Sequence, residues 1–212
     1  MKPHKFDRSE HVYENDAFDE LVKDAVRFFN GTPVIPMPPP IRFPGVSVYA
    51  LYYTGKTPPY EQYGKLNRVK YDYPIYVGKA VPRGWRQARI TSVANTNTFE
   101  LNSRLRKHFN TINKGKGLNP EDFTCRFVIF EGISSSMIST VESALIRIFM
   151  PLWNTQVDGF GNNDPGKGRY NQKKSNWDVL HPGRTWAEKC ADSNFSRKEV
   201  VNKVRTHMRK LK

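Results

Sequence analysis

VSVYALYY, residues 46–53, and IYVGKA, residues 75–80, are the two stretches that decide the fold. Both are rich in β-branched and aromatic side chains, which favour a pleated, buried strand. The residues between them, 54–74, are polar and rich in turn formers, so we expect an insertion that joins two neighbouring strands. In the second strand Gly78 follows Tyr76 and Val77, and a glycine there predicts that a binding partner or a neighbouring backbone approaches closely.

Three further elements follow along the chain. TFELNSRLRKHFNTIN (98–113) has a stripe of apolar residues at helical spacing, and so has SSMISTVESALIRIFMP (135–151), which Pro151 ends. DFTCRFVIFEG (122–132) alternates well enough to predict a third strand. The predicted fold is therefore α+β, with a small central β-sheet flanked by helices.

The two ends of the chain differ from this centre. NDAFDELVKDAVRFFNG (15–31) predicts a helix capped by Asn15 or Asp16, and a proline-rich spacer follows it. That helix is either an arm or dimer contact, or it packs on the core of its own chain. We expect an N-terminal helix and arm over 1–45, a core over 46–155 with an insertion at about 54–74, and a basic extension with a C-terminal helix over 156–212.

The charge balance points to a polyanionic partner. The 212 residues include 34 Lys and Arg against 20 Asp and Glu, a formal net charge of +14. Nucleic acid is the first candidate and an anionic membrane surface the second. No apolar run is long enough for a membrane span, and the N-terminus lacks the apolar core of a signal peptide. Two isolated cysteines argue against a disulfide framework or a zinc knuckle and suit a reducing cytoplasm, where we expect the protein.

A few polar residues lie where a purely structural role is hard to assign. Glu142 is the single acid of an apolar helix and has no cation three or four positions away. It either points into water or requires a tertiary cation, a metal ion or a proton. Arg104 and His108 lie on the same flank of their helix. They are either ordinary surface residues or they neutralise a group near the core. Asn154, in PLWN (151–154), either satisfies backbone groups or braces a catalytic group.

Taken in order, these features resemble the GIY-YIG nuclease superfamily. Two tyrosine-bearing strands, a helix with Arg and His, a helix with Glu and a following Asn all match over residues 46–154. The first triplet is SVY and the second is YVG, so Tyr49, Tyr76 and Gly78 retain the identities of the family motif. The resemblance implies a nuclease core with an unusually long insertion between its strands.

The resemblance also implies roles for individual residues. Glu142 would hold Mg²⁺ or another divalent metal such as Mn²⁺, a hard ion that needs few protein ligands. Arg104 would contact the scissile phosphate, and Asn154 would support the site. Tyr49 would be the general base that takes a proton from water, while Tyr76 would bond water or phosphate.

A tyrosine base carries a cost in free energy. Forming a phenolate at neutral pH costs about 4 kcal/mol, because the ordinary pKa of tyrosine is about 10. We expect Arg104, Lys79 and the metal to lower the pKa of Tyr49. His108 is the alternative, as a proton relay or as the base itself.

The resemblance is to type II restriction endonucleases in particular, because the chain is compact and has no evident separate DNA-binding domain. It implies a homodimer that cuts both strands of double-stranded DNA at a GC-rich palindrome, CCGCGG. Arginine and lysine read guanine or contact phosphates. The candidates for DNA binding are Lys79, Arg83, Arg86, Arg89, Lys167, Arg169, Lys173, Lys174 and Arg184. The alternatives are a homing or repair nuclease, and a non-catalytic basic nucleic-acid-binding protein, which would leave Glu142 unexplained.

Overall fold

A four-stranded antiparallel sheet forms the centre of the molecule, as seen in a computed structural model that describes residues 6–82, 84–85 and 98–211. Its spatial order is β1-β4-β2-β3. The strands are β1 (Ile35–Pro36), β2 (Val46–Tyr53), β3 (Tyr76–Ala80) and β4 (Phe123–Phe130). The helices in the described residues are α1 (Asp16–Gly31), α2 (Glu61–Asn67), α3 (Glu100–Lys114), α4 (Ile138–Phe149), α5 (Leu152–Thr155), α6 (Asn176–Leu180) and α7 (Arg197–Met208). The α+β prediction is confirmed.

The strand β2 is buried along its whole length because helices cover both faces of the sheet. Tyr49 and Leu51 face a cluster that includes Leu105 of α3, whereas the alternating residues Val46, Val48, Ala50 and Tyr52 face a cluster that includes residues of α1 and α4. Burial on both faces explains why VSVYALYY is apolar throughout rather than alternating. The central strand thus separates two hydrophobic layers.

Helix α1 packs on the core of its own chain rather than extending as an arm. The Asn15 side chain caps it by accepting a hydrogen bond from the backbone N–H of Phe18. Val26 and Phe29 are buried in the cluster shared with α4. Phe18 and Leu21, nearer the start of α1, are 45% and 56% exposed, so the buried residues of the helix lie nearer its end.

The insertion between β2 and β3 contains a helix, α2, where the sequence predicted only turns. Asn67 at its end is fully buried and donates through Nδ2 to the carbonyl oxygens of Tyr53 (3.0 Å) and Tyr73 (2.9 Å). One side chain therefore joins the beginning of the insertion to its end. Tyr60 and Tyr63 are also buried, which anchors the insertion in the core.

Residues after 155 contribute to the core as well. Trp177 of α6 and Val200 and Val204 of α7 are fully buried in the cluster on the α3 side of the sheet. A capping box is present at the start of α7, where Ser196 and Glu199 exchange hydrogen bonds. The 156–212 segment thus packs against the centre along much of its length. None of the helices in the described ranges has the length and apolar character needed to cross a membrane.

Candidate active site

The pairing of β2 with β3 brings Tyr49 directly opposite Gly78. A Cβ atom at Gly78 would lie 2.7 Å from the Tyr49 hydroxyl and 2.9 Å from Cε1 of Tyr76. The Tyr49 ring therefore occupies the space that a side chain at position 78 would need. The expected close approach of a binding partner or of a neighbouring backbone is not what requires the glycine. The two tyrosine rings lie with their centroids 6.3 Å apart.

Tyr49 and His108 form a buried hydrogen-bonded pair. The Tyr49 hydroxyl lies 2.6 Å from Nε2 of His108, and Arg104 Nε donates to the same hydroxyl oxygen at 3.4 Å. Because arginine can only donate, the tyrosine oxygen accepts from Arg104 and its own proton is free to bond His108. Both members of the pair are almost fully shielded from solvent, with 0% and 2% of their surfaces exposed.

Burial determines the protonation of this pair. It raises the pKa of Tyr49 well above 10, and nearby Tyr76 adds to this effect while Arg104 opposes it. Burial also holds the pKa of His108 well below its usual 6.5, with Arg104 and Lys107 adding to the depression. The pair is thus neutral at pH 7. The expectation that neighbouring cations leave Tyr49 with a lowered pKa is wrong for the protein alone, because desolvation outweighs them.

Glu142 has found a tertiary cation. Its Oε2 lies 2.7 Å from Nζ of Lys79, which also donates to the Ser139 hydroxyl at 3.0 Å. The two charged side chains are 18% and 14% exposed, so Glu142 does not simply point into water. The pair joins α4 to β3 and places the carboxylate close to the strand that carries Tyr76.

The Asn154 side chain supports β3 by bonding to the backbone of that strand. Its Oδ1 accepts from the Val77 N–H and its Nδ2 donates to the Val77 carbonyl, both at 2.8 Å. Trp153 adds a backbone hydrogen bond to the Ile75 carbonyl at 2.9 Å. These bonds fix the strand between Tyr76 and Gly78, so α5 completes the edge of the sheet at the site.

A cleft of about 610 Å³ lies over these residues. Its lining includes Tyr76, Lys79, Arg104, Lys107 and Glu142. Three residues that sequence reasoning missed, Glu100, Asn163 and Asp164, line it too. Asn163 and Asp164 come from the irregular segment after α5, which lacks any periodicity that could have placed them here.

The residues of this cleft fit a hard divalent ion held through one carboxylate. Glu142 presents an oxygen donor at the cleft, and among the residues that the structure describes no three His, Cys, Asp or Glu side chains come together as a ligand cluster. A single protein carboxylate suits Mg²⁺, which keeps most of its water ligands. The Glu142 carboxylate therefore fits such an ion.

The predicted DNA-binding residues have different surroundings. Arg83, Arg86 and Arg89 lie outside the described residues. Lys167 and Arg169 are exposed in a short 3-10 turn beyond Asp164.

Two more candidates for DNA binding already have partners. Lys173 is exposed and donates to Asn194, and Lys174 pairs with Asp192 at 3.2 Å. Exposed pairs of this kind contribute little to stability, so both cations can exchange their partners for phosphate oxygens.

The prediction that Arg184 reads DNA is wrong, because the side chain is inside the protein. Only 4% of it is exposed, and its Nη2 lies 2.6 Å from the Asp178 carboxylate. A guanidinium whose donors are all used inside the fold cannot reach a base edge. Arg184 therefore has a role within the protein.

Two tyrosines on adjacent strands, an arginine on α3 and a glutamate on α4 around one cleft define a nuclease core of the GIY-YIG class. A family model described as the Eco29kI GIY-YIG domain matches residues 41–208. The chain belongs to this family and is a restriction-type GIY-YIG nuclease, whose substrate is DNA. A search of curated proteins found no match.

Proposed function

We propose that this protein is a type II restriction endonuclease that hydrolyses DNA phosphodiester bonds with a divalent metal, Mg²⁺ or Mn²⁺, held by Glu142. The observation that carries the proposal is the convergence of Tyr76, Arg104 and Glu142 on one cleft, backed by the buried Tyr49–His108 pair. These five groups come from four different elements, β2, β3, α3 and α4. A purely electrostatic DNA-binding surface would not need them together.

The geometry suggests how the chain's own residues would act. Arg104 would contact a nonbridging oxygen of the scissile phosphate and stabilise the charge that develops there. A phosphate bound by Arg104 would lie beside Tyr49, since Arg104 Nε is 3.4 Å from the Tyr49 oxygen. Tyr76 would orient water or phosphate in the same cleft. A metal bound at Glu142 supplies further stabilisation of charge on the phosphate oxygens.

The proton of the attacking water would pass through the Tyr49–His108 pair. Tyr49 accepts it as the tyrosine proton moves along the 2.6 Å hydrogen bond to Nε2 of His108. This route never requires a free phenolate, which would cost about 4 kcal/mol even for an exposed tyrosine. A bound phosphate contributes negative charge, which favours the histidinium that forms.

Cutting both strands of a palindrome in one binding event would require two such sites. We propose a homodimer with one Glu142 site per chain, acting at a GC-rich palindrome such as CCGCGG. Exposed cations, among them Lys167 and Arg169, would contact the DNA. An alanine substitution that weakens binding to all sequences equally identifies a phosphate contact, and one that relaxes base preference identifies a reader of guanine.

Plasmid cleavage tests the proposal directly. The protein is incubated with plasmids that contain or lack CCGCGG, in Mg²⁺ or Mn²⁺, alongside Glu142→Gln, which preserves size but removes the charge. We expect discrete fragments from the wild type and none from the variant. Plasmid that is shifted but uncut by both proteins would instead support a non-catalytic nucleic-acid-binding protein. Discrete fragments from a plasmid without the palindrome would support the nuclease function but reject CCGCGG as its recognition site.

A further inference from the structure

Arg184 and Asp178 form a buried ion pair whose hydrogen bonds lead towards the catalytic cleft. Nε of Arg184 donates to Oδ1 of Asp178 at 2.7 Å, and Nη2 donates to Oδ2 at 2.6 Å. This is the two-pronged geometry in which arginine and carboxylate bind most specifically. The Ser175 hydroxyl donates to the same Oδ2 at 2.6 Å and fixes the carboxylate further.

The remaining donors of Arg184 all bind the backbone of one loop, residues 159–162. Nη2 donates to the carbonyl of Gly159 at 3.0 Å, and Nη1 donates to the carbonyls of Phe160 and Asn162, each at 3.3 Å. A guanidinium has five N–H donors, and here all five have acceptors inside the protein. Arg184 therefore fixes three carbonyls of a segment that has no regular secondary structure.

This loop in turn contacts three candidate catalytic residues. The Gly161 carbonyl accepts from Nη2 of Arg104 at 3.1 Å. A Cβ atom at Gly161 would lie 2.6 Å from the Tyr76 hydroxyl, so the backbone passes directly against that ring. The Phe160 ring stacks on His108 with centroids 4.6 Å apart and meets the edge of Tyr76 at 4.9 Å.

We propose that Arg184 is a positioning residue for the catalytic site, acting through the backbone of residues 159–162 on Arg104, Tyr76 and His108. The inference rests on the nuclease function proposed above and extends it to the 156–212 segment. Arg104 has a long side chain with several rotamers, and the fixed Gly161 carbonyl selects one of them. A misplacement of about 1 Å caused by a change far from the chemistry can lower a rate by about a hundredfold.

Arg184→Lys is the informative variant because it retains the positive charge but loses the planar, forked arrangement of five N–H donors. Lysine has three donors on one nitrogen, so it can pair with Asp178 but cannot also hold three carbonyls. We expect the single-turnover cleavage rate to fall by about 10- to 100-fold. DNA affinity, measured in a Glu142→Gln background that prevents cleavage, should stay within about threefold, since Arg184 has no exposed donor to offer phosphate.

A control of lower stability separates positioning from general loosening of the fold. Val204→Ala removes buried volume on α7, and none of the hydrogen bonds from Arg184 to residues 159–162 involves Val204. It should lower the melting temperature without changing the cleavage rate at temperatures well below that point. If it lowers the rate as much as Arg184→Lys does at equal loss of stability, the positioning role is rejected.

Hydrogen exchange supplies a readout that does not depend on cleavage. The Asn162 N–H donates to the Gly159 carbonyl at 3.1 Å, so peptides covering 159–164 report on the order of the loop. We expect faster exchange there in Arg184→Lys than in the wild type or Val204→Ala. A wild-type cleavage rate in Arg184→Lys would overturn the proposal, and so would a slower rate with unchanged exchange in the loop.

Two further results keep the test decisive. If Arg184→Lys does not fold, Gly161→Ala takes its place, because its methyl group would displace the loop from Tyr76 without touching the buried ion pair. We expect it to lower the rate by a similar factor, and an unchanged rate would reject the proposal. If the wild type cuts no DNA, the proposed function fails by itself. The exchange data and the NMR signal of the Arg104 Nε–H then decide whether Arg184 orders the loop and Arg104.

Discussion

Tyr49 and His108 share one short hydrogen bond in a site closed to solvent, so each determines what the other can do. We expect Tyr49→Phe to lower cleavage by about 10²- to 10⁴-fold, the usual contribution of a general acid–base group. Phenylalanine fills the same volume, and the loss of stability should be about 1–3 kcal/mol for an unpaired His108 nitrogen. Single-turnover cleavage rates of the wild type and the variant are compared between pH 6 and 9. Tyr52→Phe, on the opposite face of β2, is the matched control, and near-normal cleavage by Tyr49→Phe would remove the tyrosine from the mechanism.

Lys79 forms an ion pair with the Glu142 carboxylate, the group that a metal would need. In Lys79→Met the charge that competes for Glu142 is gone, and the side chain still fills its half-buried position. We expect Mn²⁺ to bind the DNA-free variant about tenfold more tightly, which corresponds to about 1.4 kcal/mol. Titration followed by electron paramagnetic resonance measures this without cleavage. Lys107→Met is the control from the same cleft, and equal or weaker binding by Lys79→Met would mean that the ion pair does not compete.

Helix α1 offers a comparison between neighbouring residues of the same type. Phe29 is fully buried against the layer that contains α4, whereas Phe28 is 64% exposed. We expect Phe29→Ala to lower the free energy of unfolding by about 3–5 kcal/mol and Phe28→Ala by at most about 0.5 kcal/mol. Denaturant titration at several protein concentrations tests both. A large, concentration-dependent loss in Phe28→Ala would show that this face of α1 is buried in an assembly.

A buried network joins the insertion to α5 and to the segments that follow α3 and α6. Trp153 Nε1 donates to the Tyr60 oxygen at 3.2 Å, and Tyr60 lies 2.6 Å from Nε2 of His181. Nδ1 of His181 contacts the Lys116 carbonyl at 3.0 Å, so Nδ1 carries the proton and Nε2 accepts from Tyr60. The neutral imidazole is therefore the form that the fold accommodates.

Acid should destabilise the protein through His181. Burial lowers the pKa of this histidine from 6.5 to about 4, so the unfolded chain binds a proton at pH values where the folded protein does not. Its stabilising contribution is present above about pH 6.5 and is lost as the pH falls towards 4, by about 3 kcal/mol in total. Unfolding curves from pH 7 to 4 should be less pH-dependent in His181→Gln than in the wild type. His11→Gln, at an exposed histidine, is the control, and an unchanged pH dependence in His181→Gln would contradict the assignment.

The elements that sequence alone could predict are those with their own periodicity or capping. The β2 and β3 strands, α3, α4 and the Ser196 cap all fall where local preferences place them. Glu142 could also be singled out, because an acid in an apolar helix needs a partner wherever it lies. The identity of that partner, Lys79, depends on how α4 packs on β3, and local sequence does not encode it.

The parts that could not be predicted depend on tertiary packing of irregular chain. Nothing near Arg184 in the sequence distinguishes a buried arginine from a DNA-binding one, since Asp178 lies six residues away without a helical register between them. In the same way, Phe160 lies in a glycine-rich stretch that is typical of a surface loop, yet it is buried between Trp153 and His108. Only the folded chain shows that Arg184 and Phe160 support the loop that contacts Arg104 and Tyr76.

At the scale of the whole molecule, one chain holds one Glu142 and one cleft around it. A proposed enzyme that cuts both strands must then either act twice or act as a dimer, and these possibilities differ when active and inactive chains are mixed. Mixed dimers of wild type and Glu142→Gln, formed by coexpression, would carry one working site. We expect them to convert supercoiled plasmid mainly to nicked circles, because only one strand of each site is cut. The control is a mixture of wild type with Val204→Ala, which leaves both sites intact and should yield linear DNA. Linear product from the Glu142→Gln mixture, in simple proportion to the active chains present, would show that single chains cut both strands in turn.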